Sequence, residues 1–238
     1  MPRKVFAYTR IYLLTLLTAL VAGCGSEGKG GGKEVDLISE VATKKADLPT
    51  GTGPLWPLVA GKSWRTLTIR PNQKNTDSEI RVIGPFRVPD GRSGTLVRSY
   101  RGGKPFRVEV IQTDRTGGMR ILGLGESEKK LLVFSPAIPY LVTPVKEGEY
   151  LQWDGTARIA GQEYVATAFH RVSTVDSVKT PFETIRAYRL DGIISLVNGT
   201  QKIDYPAVMW FVPGKGVAQR RLADRGTLAL EVITKFTN

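Results

Sequence analysis

Cys24 is the only thiol and His170 the only imidazole in the 238 residues of this chain. Together they narrow the chemistry at once, because zinc sites recruit several Cys and His ligands and one cysteine cannot form an intramolecular disulfide. Ser127-Glu128-Lys129-Lys130 has the Ser-x-x-Lys spacing in which a lysine activates a serine, but the Ser-Asp-Asn and Lys-Thr-Gly elements that accompany it are absent from the sequence. It follows the Gly-rich residues 123–125 and reads as a charged hairpin tip. Glu126 and Glu128 are a carboxylate pair on that same exposed turn, where nothing would raise either pKa for acid catalysis. No Gly-x-Ser-x-Gly elbow occurs. Gly23 to Lys29 fits most of a phosphate-binding loop, yet Gly30 stands where Ser or Thr must hold magnesium and no strand precedes it. Asn198-Gly199-Thr200 fits a glycosylation sequon and is better explained as an Asn-Gly hairpin.

His170 lies in an apparent strand over 163–175 and shares its parity with Tyr164, Ala166, Ala168 and Val172, which predicts a core or cleft imidazole. No polar set converges around it. The expectation is therefore a non-enzymatic protein with no catalytic residues, no metal and no cofactor. An enzyme built from scattered carboxylates, with Glu163 or Asp204 beside His170, is the lesser alternative.

The charge balance is more informative. The whole chain carries a formal net charge of +12, from 34 basic and 22 acidic residues. Removing Arg3, Lys4 and Arg10 leaves 31 basic residues against the same 22 acidic ones, a net of +9. Arginines recur on the apparent strands, with Arg98 and Arg101 in the first half and Arg220 and Arg221 near the end. These four are the candidate face for an anionic partner such as a lipid headgroup, a glycan or an envelope protein. A solvated basic surface with no such partner is the competing reading. No aromatic-plus-basic motif of a nucleic-acid module is present, so no nucleic acid is expected.

The elements that must position these residues fall into three parts. Arg3, Lys4 and Arg10 precede an apolar run over 11–22, too short for the ~20 residues that span a bilayer. This is the form of a signal peptide, residues 1–23, ending in the small residues Val21-Ala22-Gly23. Residues 24–54 begin with Cys24 and continue as a Gly/Lys/Pro-rich tether, whose root-mean-square span as coil is ~30 Å. Within it, 34–46 is either a weak amphipathic helix or a charged linker.

From residue 55 to 238 the pattern is β almost throughout, with no ten-residue helix. Residues 65–69 alternate polar and apolar, Phe106, Val108 and Val110 alternate with Arg107 and Glu109, and Leu228, Leu230 and Val232 share a face opposite Glu231 and Lys235. Asp90-Gly91, Gly102-Gly103, Gly117-Gly118, Gly161-Gln162, Asn198-Gly199 and Pro213-Gly214 mark turns. The predicted fold is an all-β antiparallel meander forming a curled sheet or incomplete barrel. Two stretches echo one another: Pro57-x-x-x-Gly61 with Pro144-x-x-x-Gly148, and 97–101 with 185–189. They predict two related repeats, 57–136 and 144–238, sharing one core. Trp64, Trp153 and Trp210 are candidates for lining a ligand cavity in that core.

Val21-Ala22-Gly23-Cys24 resembles the lipobox of bacterial lipoproteins processed by signal peptidase II. The resemblance implies a thioether from Cys24 to diacylglycerol, a further acyl group such as palmitate on the new amino terminus, and anchoring on the extracytoplasmic side of the cell envelope. Two or more acyl chains give stable anchoring where one does not. Gly25 replaces the Asp that commonly signals inner-membrane retention, which favours the outer membrane in a Gram-negative host. Pro57-Leu58-x-x-Gly61-x-x-Trp64, Thr180-Pro181-Phe182-Glu183-Thr184 and Trp210-Phe211-x-Pro213-Gly214-x-Gly216-Val217 look like a broad group of uncharacterised bacterial lipoproteins. That likeness implies a fold and brings no activity. The functional expectation is a lipid-anchored envelope protein whose β domain binds an amphiphile or an envelope partner. The alternative is a structural or adaptor lipoprotein with a basic face and no small ligand.

Overall fold

The computed structural model describes residues 54–181, 183–224 and 227–235. The signal peptide, Cys24, the tether and the helix-or-linker question over 34–46 lie outside the described residues. Twelve strands follow one another in the chain. The first six are β1 (Ser63–Ile69), β2 (Thr76–Arg87), β3 (Ser93–Arg101), β4 (Lys104–Thr113), β5 (Met119–Gly125) and β6 (Leu131–Leu141). The remainder are β7 (Tyr150–Ile159), β8 (Gln162–Lys179), β9 (Thr184–Asn198), β10 (Gln201–Val212), β11 (Gly216–Asp224) and β12 (Thr227–Lys235). Each strand neighbours the one before it, and β12 pairs antiparallel with β1, so the meander closes into a barrel. Closure leaves no open edge to template aggregation. The helical content among the described residues is a single 3-10 turn, Glu128–Lys130.

The turn residues fall between strands, as their chemistry predicts. Lys215 N–H donates to the Val212 carbonyl at 3.0 Å across Pro213-Gly214, and Gly214 takes φ +77°, the signature of a type II turn. Asp90-Gly91, Gly102-Gly103, Gly117-Gly118, Gly161 and Asn198-Gly199 mark the β2–β3, β3–β4, β4–β5, β7–β8 and β9–β10 connections.

The two Pro-x-x-x-Gly stretches form the same hydrogen-bonded turn. Gly61 N–H donates to Val82 O at 2.9 Å, Lys62 N–H to Val59 O at 3.0 Å and Val82 N–H to Lys62 O at 2.8 Å. In the second stretch Gly148 N–H donates to Val172 O at 2.7 Å, Glu149 N–H to Lys146 O at 3.2 Å and Val172 N–H to Glu149 O at 2.8 Å. Gly61 and Gly148 have φ of +84° and +81°, a conformation that a side chain strains. A register shift follows Val82 in the β2–β3 ladder and Val172 in the β8–β9 ladder. The second echo does not share this registration. Val82 faces Val97 while Val172 faces Leu190, so 97–101 and 185–189 occupy different positions in their ladders.

Three strands turn the opposite way from what their alternation predicts. Thr66 and Thr68 are buried on β1, whereas Leu67 and Ile69 are only half-buried. On β4, Glu109 is 7% exposed, and on β12 Glu231 is 3% exposed. The reason lies across the barrel. Arg220 on β11 bonds to Glu109 on β4 and to Ser99 on β3, strands that are not its neighbours, so these contacts cross the interior. Val108 and Val110, on the other face of β4, are buried as well and join Leu96, Leu122, Leu131 and Val133 in a separate packed cluster. Elsewhere the buried residues are mainly apolar, with Thr66, Thr68, Ser78 and His170 among them. One cluster holds Trp56, Trp64, Trp210 and Phe211, and another holds Phe134, Trp153, Tyr164 and Leu196. Each such side chain stabilises by about 1.5–3 kcal/mol on full burial.

Candidate functional site

The barrel wall is held unevenly. β6 has 11 residues and β7 has 10, yet only Val133–Arg158, Phe134–Ala157 and Ser135–Thr156 are paired between them. Every other neighbouring pair of strands shares five positions or more. The sequence supplies the cause. Past Ser135, β6 reads Pro136-Ala137-Ile138-Pro139, and a proline has no N–H to give to a ladder. Beyond that point the two strands run without backbone bonds to each other.

A narrow crevice lies at this seam, with no room inside it for a water molecule. Tyr140, Leu141, Leu151, His170, Val172 and Leu190 line it, together with Glu149 and Arg171. His170 is only 5% exposed and its Nδ1 has no hydrogen-bond partner. The Tyr140 ring meets the imidazole edge-on, with centroids 4.8 Å apart. The ring sits over Gly192, where a Cβ would lie 2.6 Å from His170 Cδ2. Burial pushes the imidazole down to about 4, so it is neutral at physiological pH. The Tyr140 hydroxyl donates to Met209 Sδ at 3.4 Å. Burial, reinforced by Glu109, raises its pKa well above the ordinary phenol range.

Next to this region lies a buried ionic network. The Arg220 guanidinium, 1% exposed, donates from Nε to Glu231 Oε2 at 2.5 Å, from Nη1 to Glu109 Oε2 at 3.1 Å and from Nη2 to Ser99 Oγ at 2.9 Å. Arg107 Nη2 donates to Glu109 Oε1 at 2.7 Å. Arg101 approaches Glu231 Oε1 to 3.9 Å. Burial by itself would raise the Glu109 pKa, but Arg107 and Arg220 outweigh it and hold the carboxyl below the usual range.

The residues singled out from sequence are dispersed by this fold. Trp64 packs on Trp56 with ring centroids 5.7 Å apart. Trp153 meets Phe134 edge-on at 6.1 Å. Trp210 lies under Arg189 and Arg221, 5.7 Å and 5.5 Å from its centroid. All three tryptophans are buried in packed clusters. The four candidate arginines do not make one face. Arg220 belongs to the interior, because its two carboxylate partners draw it there. Arg98 is paired with Glu128 and hydrogen-bonded to Tyr100, and Arg101 stacks on Phe106 at 4.0 Å. Only Arg221 remains on the outer wall, over Trp210.

Glu163 is ion-paired with Arg158, and Asp204 accepts from Ser195 Oγ at 2.6 Å and pairs with Lys202 at 3.1 Å. Neither is on the lining shared with His170. At the hairpin tip Glu126 pairs with Lys130 at 3.3 Å. Among the described residues no group of three His, Cys, Asp or Glu is placed to hold a metal ion. Tyr140, Glu109 and Glu231 escaped the sequence reading. The one available signal for the seam was the pair Pro136 and Pro139 within a strand-like run.

No protein-family model matches the chain, and none of the curated proteins does. Among solved structures, the chain is similar to a protein of Bacteroides fragilis assigned as exported, with a YmcC-like fold. The identity is 12%, over 77% of this chain and 99% of that one, with a TM-score of 0.47. It is also similar to a protein of Parabacteroides distasonis assigned as a lipoprotein, at 11% identity over 77% and 98% of the two chains and a TM-score of 0.41. The hypothetical lipoprotein YmcC of Escherichia coli is 9% identical over 75% of this chain and 89% of its own, with a TM-score of 0.39.

Proposed function

We propose that this chain is a lipid-anchored protein of the bacterial cell envelope, non-enzymatic, whose barrel binds at its wall and not within its interior. The anchor rests on Cys24 at the end of a basic-then-apolar leader. The observation that supports binding at the wall is a core packed by aromatic side chains and by the Arg220 network. The outer wall of β7–β10 carries Arg158, Glu163, Lys202 and Asp204 in ion pairs. That is the surface of a barrel bathed in water, opposite to the apolar band of a membrane-spanning one.

The filled interior equally favours an adaptor that engages only other envelope proteins. Feeding cells an alkyne-tagged palmitate tests the anchor. The wild-type chain takes up label and fractionates with membranes, while Cys24→Ser takes up none and is released. Label retained on Cys24→Ser would overturn the assignment. Native mass spectrometry of the Cys24→Ser chain separates the two binding modes, since a small-molecule adduct lost on denaturation excludes a pure protein adaptor.

A further inference from the structure

We infer that the β6–β7 seam is a lateral gate in the barrel wall, closed while the His170 ring is neutral and opened when that ring takes up a proton. Past Ser135, where β6 and β7 share no backbone bonds, side chains bridge the seam instead. The Tyr140 ring on β6 meets the His170 ring on β8, with centroids 4.8 Å apart, although β7 stands between these two strands in the sheet. His170 is in turn paired with Leu151 of β7. The crevice at this junction has no room for a water molecule, so the closed seam keeps the imidazole dry, 5% exposed and with Nδ1 unbonded. A neutral ring tolerates that setting. An imidazolium does not, because a charge without water or a partner costs far more to bury than one unsatisfied nitrogen.

No charge inside the wall takes the place of water. Burial alone holds the imidazole down to about 4, with no charged neighbour contributing. β6 faces the ring with Tyr140, whose phenol stays protonated throughout this range, β7 with Leu151 and β9 with Gly192. The charged groups on the lining are Glu149 before β7 and Arg171 on β8, of opposite sign. The imidazolium must therefore move to water, and the ladders decide which way it goes. β8 and β9 are paired without a break from Val165–Val197 to Val172–Leu190, and β7 is paired with β8 from Tyr150–Arg171 to Ile159–Gln162. Towards β6 there is no ladder to break. The seam is the side that yields, and its opening bares Tyr140, Leu141 and Leu151 while the other ladders stay intact.

Hydrogen exchange of the full chain carrying Cys24→Ser reads the gate, measured at pH 7 and pH 5 and divided by the intrinsic rate at each pH. The closed ring has its pKa at about 4 and the ring in the open seam at the ordinary 6.5, so acid favours the open form. Between the two conditions the opening equilibrium rises roughly twentyfold. Seam amides within 137–141 and 150–153 should lose protection by that factor, while amides central to β8–β9 keep theirs. In His170→Leu the seam should be equally protected at both pH values. If that variant does not fold, as judged by circular dichroism, His170→Gln, polar and uncharged, gives the same reading. Seam protection that ignores pH in the wild type overturns the gate, as does an equal fall in a folded His170 variant. A fall shared by β8–β9 also overturns it, since the whole barrel would then be unfolding and not its wall opening.

Discussion

Arg220 is the residue on which one side of the barrel depends. A guanidinium shut away from water is stable only when its donors are met, and here two carboxylates and a serine meet them. Removing it strands Glu109 and Glu231 as uncompensated buried charge, which typically costs 3–5 kcal/mol. Arg220→Met should therefore lower the unfolding free energy by roughly that amount in urea titrations, read from the midpoint at constant slope. Replacing Arg220, Glu109 and Glu231 together by apolar residues of similar volume should recover most of it.

His170 gives a different signature. Its folded pKa of about 4 lies below the ordinary 6.5, so its contribution is present in full above pH 6.5 and is lost as pH falls towards 4. The difference amounts to about 3 kcal/mol. His170→Leu should flatten the stability profile across that window, measured by thermal unfolding in matched buffers. A profile as steep as wild type would show that the imidazole does not titrate in this way. The burial of His170 was legible from its parity with Tyr164, Ala166, Ala168 and Val172, whereas that of Arg220 was not. Arginine and glutamate at alternating positions read as a solvated face, and only the partners brought across the barrel reverse that reading.

The strands themselves were largely legible. Turn residues need particular dihedrals whatever surrounds them, so Pro213-Gly214 and Asn198-Gly199 announce their hairpins locally. Which face of a strand turns inward is a tertiary question, and β1, β4 and β12 answer it against their own alternation. The β6–β7 seam is intermediate, since Pro136 and Pro139 are visible in the sequence while the partner they fail to bond is not. Local stability follows from the ladders. β8 and β9 are paired continuously from Val165–Val197 to Lys179–Thr184, interrupted by one shift, whereas β6 and β7 hold at three positions. Hydrogen exchange should show the amides of Ala137–Leu141 and of Tyr150–Trp153 that lie on the seam exchanging well ahead of those central to β8–β9. Equal protection would mean that the seam is closed in solution.

At the scale of the molecule, six strands precede the 142–149 connection and six follow it. The two sets open with matching turns at Gly61 and Gly148, each clipped to the second strand of its set. Because β1 lies beside β12, the two ends of the barrel domain are neighbours, and chain ends close in space tolerate rejoining. A circular permutant cut between Lys146 and Glu147, with a short linker joining the present ends, should fold to the same barrel and unfold in one cooperative transition. Its far-UV spectrum should match that of the parent. Failure to fold would show that the 142–149 connection does more than join the sets.

The same adjacency of β1 and β12 sets the timing of the protein's birth. Arg65 must wait for Lys235, and synthesis at ~5–20 residues per second puts roughly 10–30 s between them. Throughout that interval β1 has one bare edge, and Thr66 and Thr68 lack Ile233 and Glu231, the residues they face. No part-length chain can close, so the nascent protein must be kept from pairing with its neighbours until the last strand is released. Any machinery that carries a chain across a membrane unfolded has that long an interval in which to act.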